Sequence, residues 1–74
     1  MQTQKQMILQ YIKDFGSITP AEAFIDLGIY NFSARLAELK ADGYNFEMVK
    51  EKGKNRYGKN IWWGRYYFQK EKEE

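Results

Sequence analysis

The 74 residues carry 12 Lys or Arg against 10 Asp or Glu, a formal net charge of +2, and 43% of them are hydrophobic. That composition suits one soluble domain near the lower size at which a single core suffices, with 13 aromatic residues as bulk for it. Cysteine and histidine are both absent, which excludes a disulfide framework, thiolate or imidazole metal sites and the usual nucleophile–base pairs.

Thr3 and Gln6 stand at capping-box spacing, and Ile8, Tyr11, Ile12 and Phe15 then fall on one helical face before Gly16. This predicts a first helix, buried along that stripe and serving as scaffold. Thr19, Pro20 and Glu22 form a second and stronger start signal: cap, first-turn proline and reciprocal acceptor. Ala23, Phe24 and Leu27 make the apolar face of this short helix, Ile18 is placed to staple onto Ala23, and Gly28 stops it. A turn at Ile29 and Tyr30 leads to Asn31, the cap of a third helix that runs to about Asp42. Phe32, Leu36 and Leu39 mark its buried side, and Gly43 ends it. Two helices joined by so short a turn match a helix-turn-helix unit, although a purely structural helical hairpin carries the same local signals.

After Gly43 the period changes. Tyr44, Phe46 and Met48 alternate with polar residues and Val49, as in a strand with one buried face, and residues 61–68 are aromatic and β-prone. In the second strand Trp62, Tyr66 and Phe68 are expected to pack on the helices, while Trp63, Arg65 and Tyr67 face outward. Residues 50–60, with Gly53 and Gly58, are expected to form a connection long for a hairpin, with a mobile tip. Charge is unevenly spread: residues 1–49 have a net charge of −2, residues 50–65 of +5 and residues 66–74 of −1. A basic segment of this kind is the footprint of a polyanion contact, or else a loop kept soluble by lysines. The pattern predicts an α+β winged helix-turn-helix, three helices followed by a two-stranded β-hairpin wing, over residues 1–69, with a charged flexible tail at 70–74.

The order Gly16-Ser17-Ile18-Thr19-Pro20-Ala21-Glu22-Ala23, Leu27-Gly28-Ile29, Ser33-Ala34-Arg35-Leu36, Glu38-Leu39 and Gly43-Tyr44 resembles the small winged helix-turn-helix proteins of bacteriophages and prophages. The resemblance spans roughly residues 3–68 and implies a three-helix core, a β-wing and a regulatory or accessory role in contact with duplex DNA. Members often carry basic residues near the start of the third helix and before its final glycine; here Asn31, Ala41 and Asp42 stand at those places. The residues expected at a DNA surface are Thr19, then Asn31, Ser33 and Arg35 on the third helix. Lys50, Lys52, Lys54, Arg56, Lys59 and Arg65 are expected to contact DNA from the wing.

Two other binding modes use the same residues. A phage-type accessory or inhibitor module would bind a protein partner, with Trp63, Arg65 and Tyr67 as its surface. Alternatively, the aromatic hairpin would stack on single-stranded nucleic acid. No cofactor, metal or enzymatic activity is expected, because the carboxylates lie on helix surfaces or caps and the glycines form no phosphate-binding motif. No apolar run approaches a membrane span and residues 1–10 lack signal-peptide character, so a cytoplasmic protein with no membrane partner is expected. A homodimer is compatible with the sequence.

Overall fold

A computed structural model describes residues 2–69. Three helices, α1 (Gln4–Phe15), α2 (Pro20–Leu27) and α3 (Phe32–Ala41), precede a hairpin of β1 (Phe46–Lys54) and β2 (Asn60–Phe68). The starts of α1 and α2 follow from their capping boxes. Thr3 accepts from Gln6 N at 3.2 Å while Gln6 Oε1 accepts from Thr3 N at 2.8 Å. Thr19 and Glu22 repeat the arrangement at 3.1 and 3.0 Å. Asn31 caps α3 by accepting from Ala34 N at 3.2 Å. Gly28, at φ 70°, takes the left-handed conformation that turns the chain from α2 towards α3, where a side chain would be strained.

One core joins the helices: Ile8 and Ile12 from α1, Ile18, Ala23 from α2, Ile29, and Phe32, Leu36 and Leu39 from α3. Phe46 and Tyr66 bring the hairpin onto it, with the Tyr66 and Phe32 ring centroids 5.5 Å apart. Lys5 Nζ, 2.7 Å from Asp42, ties the start of α1 to the end of α3, and that carboxylate raises the Lys5 pKa. Beyond the hairpin, Ile18 and Tyr66 exchange backbone hydrogen bonds of 3.0 and 2.8 Å. The segment between α1 and α2 thus docks against β2 as a rudimentary third strand.

Several expectations need correcting. Phe15 lies on the stripe of Ile8 and Ile12 but is 71% exposed, because the core beneath α1 ends at Ile12; its ring rests on Tyr11 at 4.7 Å. Tyr11 in turn donates to Asp26, a bond that pushes its pKa up to about 12. Phe24 is also exposed: α2 turns Ala23 inward, and Phe24, one position round, meets Tyr30 edge-on at 5.1 Å.

The alternating face expected for β1 is half-buried at Phe46 and otherwise exposed or polar. Tyr44 precedes the strand and Met48 is exposed. Among Trp62, Tyr66 and Phe68, only Tyr66 reaches the helical core; Phe68 stacks on Phe46 at 5.9 Å and Trp62 is exposed. The long connection is instead mostly strand. Antiparallel pairing runs from Phe46 opposite Phe68 to Lys54 opposite Asn60, and residues 55–59 make a hydrogen-bonded turn. Asn55 Oδ1 accepts from Tyr57 N and Lys59 N, each at 3.0 Å, and Gly58 takes a positive φ of 77°. The tail expected at 70–74 lies outside the described residues.

Leu36→Ala is expected to lower stability by about 2–5 kcal/mol, since a buried cavity is left on α3. Phe15→Ala, from a residue that lies over no core, is expected to cost less than about 1 kcal/mol. Urea denaturation of both variants measures the contrast.

Candidate nucleic-acid interface

Side chains alternate across a strand, so the register sorts the hairpin into two faces. One carries Phe46, Met48, Lys50, Lys52 and Lys54 from β1 with Phe68, Tyr66, Gly64, Trp62 and Asn60 from β2. Near the helices this face is apolar and packs on the core through Phe46 and Tyr66. Towards the turn it becomes basic. Lys52 lies directly opposite Trp62, and Lys50 places its ammonium 4.8 Å from the Trp62 ring centroid. Lys50, Lys52, Gly53, Asn60, Ile61 and Trp62 line an open cleft of about 310 Å³. Arg56 lies in the turn and Lys59 at its end, both exposed. Among the described residues none of Lys50, Lys52, Lys54, Arg56 and Lys59 forms an ion pair, whereas Lys5, Arg35 and Arg65 all do.

The other face is a polar clamp. Glu51 accepts from Trp63 Nε1 at 2.7 Å and from Arg65 Nε at 2.9 Å. Arg65 Nη1 reaches the helices, donating to Ser17 Oγ at 3.0 Å and to Glu22 Oε1 at 3.2 Å. The expectation that Trp63, Arg65 and Tyr67 face outward is thus corrected: all three are half-buried. With its side chain 24% exposed and shared between two carboxylates, Arg65 is a structural tie with little left to offer a phosphate or a partner. Arg65 and Trp63 hold the Glu51 carboxyl below its ordinary value, and Glu51 in turn raises Arg65. The Trp63 ring also closes over Gly53, where an added Cβ would come within 2.9 Å of it.

The helical candidates are placed differently again. Thr19 is 3% exposed with its hydroxyl accepting from Glu22 N, so burial and capping remove it from the accessible surface. Asn31 and Ser33 are exposed at the start of α3; capping occupies the Asn31 oxygen and leaves its amide group as donor. Arg35 is half-buried with Nε 3.1 Å from Glu38 Oε1, close enough for an ion pair but not aligned as a hydrogen bond. Such a partly exposed pair contributes about 0–1 kcal/mol, a weak hold on the side chain. Sequence reasoning missed the Glu51–Arg65–Glu22 link and the Lys50–Trp62 contact. The second was within reach, because the strand period puts Lys50, Lys52 and Trp62 on one face once β1 is extended to Lys54.

Among the described residues no helix is long and apolar enough to cross a membrane, and no group of acidic side chains is arranged to hold a metal ion. The family described as a winged helix-turn-helix domain matches residues 3–71, and the chain belongs to it. No curated protein and no solved structure matches the chain. Three helices and an antiparallel hairpin are the architecture of that family, and helix-turn-helix domains generally bind DNA.

Because Glu51 is held below its ordinary value of 4.5, its contribution to stability is present above that pH and is lost as pH falls through the lowered value. Wild type is therefore expected to be more stable than Glu51→Gln near neutral pH, with the difference shrinking towards zero in acid. Paired denaturation curves across pH measure this; a difference that grows on acidification contradicts the clamp.

Proposed function

We propose that this winged helix-turn-helix protein binds duplex DNA, with α3 turned to the major groove and the basic face of the wing laid along phosphates. One observation carries the reading: Lys50, Lys52 and Lys54 project from a single hairpin face without ion-pair partners among the described residues. Phosphate contacts of this kind release counterions and supply affinity that does not depend on sequence. Arg56 and Lys59 extend the same charge around the turn. The resemblance to phage and prophage proteins supports a regulatory or accessory role, carried out in the cytoplasm where duplex DNA is accessible.

Base readout in this scheme falls to Asn31, Ser33 and Arg35, because the side of α3 opposite its buried stripe otherwise offers Glu38 and alanines, with Lys40 exposed on a flank of the last turn as a phosphate contact. A good bidentate contact is worth about 1–3 kcal/mol, against about 4–10 kcal/mol between strong specific and nonspecific binding. A single copy is thus a modest discriminator, and high selectivity calls for a dimer, DNA-shape readout or a partner.

A second reading, binding to a protein partner, is favoured by the helical surface rather than by the wing. Ile25 is 75% and Tyr30 87% exposed, Phe24 next to Ile25 is open as well, and so is Phe15 at the end of α1. Exposed aromatic residues are common anchors of protein interfaces.

Two measurements test the DNA reading. Fluorescence anisotropy with mixed-sequence duplex at several salt concentrations is expected to give a steep slope of log affinity against log salt. Changing Lys52, Lys54 and Arg56 together to Ala is expected to flatten it by up to about three units, at about 0.9 per phosphate. In competition over a randomised duplex library, Arg35→Ala is expected to relax an already modest preference by about 1–3 kcal/mol at one position. An unchanged slope assigns the lysines to solvation alone, and no binding at low salt favours the protein-partner reading.

A further inference from the structure

We infer that Trp62 is a stacking platform for an unpaired nucleobase, so that the wing prefers duplex DNA that opens into single strand over fully paired duplex. The inference rests on the DNA reading above and names a form of DNA that it leaves open.

The two tryptophans are neighbours in sequence with opposite surroundings. Trp63 is fixed by Glu51 and covers Gly53. The Trp62 indole makes no hydrogen bond among the described residues, packs on no core residue and is 60% exposed. An indole left in water has not gained the stabilisation of burial, and it keeps that gain available for a ligand laid against it.

The surroundings of Trp62 define that ligand. Lys50 sits over the ring at 4.8 Å, Lys52 faces it across the strands, and Asn60 supplies an amide that both donates and accepts. A flat aromatic face, two cations and one bifunctional amide match a planar base, its phosphates and its hydrogen-bonding edge. The cleft of about 310 Å³ lies at the small end of ligand sites, which suits one base rather than a folded partner. A base inside a duplex has both faces stacked already, so the platform can accept only one that is unpaired or splayed out. The face that bears Trp62 also packs on the helical core at its other end, so a duplex along Lys50, Lys52 and Lys54 passes beside the ring.

The test compares a blunt duplex with the same duplex bearing a short oligo-dT overhang, at matched salt, with wild type and Trp62→Ala. Wild type is expected to bind the overhang form about ten-fold more tightly, the scale of one base–aromatic stack. Trp62→Ala is expected to lose that preference while its circular dichroism and thermal midpoint stay near wild type. In Trp63→Phe, where Trp62 is the remaining indole, the overhang is expected to quench fluorescence and the blunt duplex is not. Equal wild-type affinity for the two forms overturns the inference but leaves duplex binding intact, as does a preference that survives Trp62→Ala. Binding of the overhang form alone, lost in Trp62→Ala, upholds the platform and overturns the duplex reading. Binding of neither overturns both.

Discussion

The attachment of the wing to the helices depends on Arg65. A two-stranded hairpin is marginal in water by itself, and this one meets the core chiefly through Tyr66 and Phe46. Two further ties fix its direction: the backbone exchange between Ile18 and Tyr66, and the guanidinium of Arg65 one residue earlier. Arg65 joins Glu51 on β1 to Glu22 on α2, so one cation spans both strands and the helix-turn-helix unit. Glu22 also accepts from Thr19 N in the capping box. The start of α2 and the direction of the wing therefore share one carboxylate, and neither can shift without disturbing the other. Partial burial strengthens these charge-assisted bonds relative to a surface pair, and pairing with two carboxylates offsets the cost of desolvating the guanidinium.

That arrangement divides most of the positive charge by role, with Lys13 and Lys40 left exposed on the helices. Lys5 neutralises Asp42 at the end of α3, Arg35 sits beside Glu38, and Arg65 is held between two acids. What remains open on the hairpin is Lys50, Lys52, Lys54, Arg56 and Lys59. The sequence's count of six cations in residues 50–65 overstates the exposed field by Arg65, and the lone carboxylate there, Glu51, does not offset it because it is turned to the clamp face. The open cations thus point where no acid of the hairpin faces them.

How far the sequence foretold this depended on whether the signal was local. Caps are local: Thr3 with Gln6, Thr19 with Glu22, and Asn31 each read correctly because the partners lie within one helical turn. The core side of α3 was legible for the same reason. Phe15 and Phe24 misled because periodicity says which way a side chain points and not whether anything lies beneath it. The basic stretch looks like a loop because lysine and glycine are poor strand formers, yet pairing with an aromatic partner strand overrides that preference. The Arg65 ties join residues 14, 43 and 48 positions apart, and no sequence spacing announces such pairs.

The adjacent tryptophans carry the point furthest. Strand alternation requires that Trp62 and Trp63 face opposite ways, so at most one can join the clamp. Trp63 sits opposite Glu51, with Gly53 two positions along leaving room for its ring; Trp62 sits opposite Lys52, with lysines on either side of that position. The glycine and the carboxylate make one indole a structural element. The lysines leave the other at the surface, with the Lys50 ammonium over one face of its ring and the residue still 60% exposed. A register slip of one residue would exchange the two, and the Ile18–Tyr66 bridge resists that slip by fixing β2 to the helical half of the molecule. The same backbone contact that attaches the wing therefore also decides which tryptophan the wing presents.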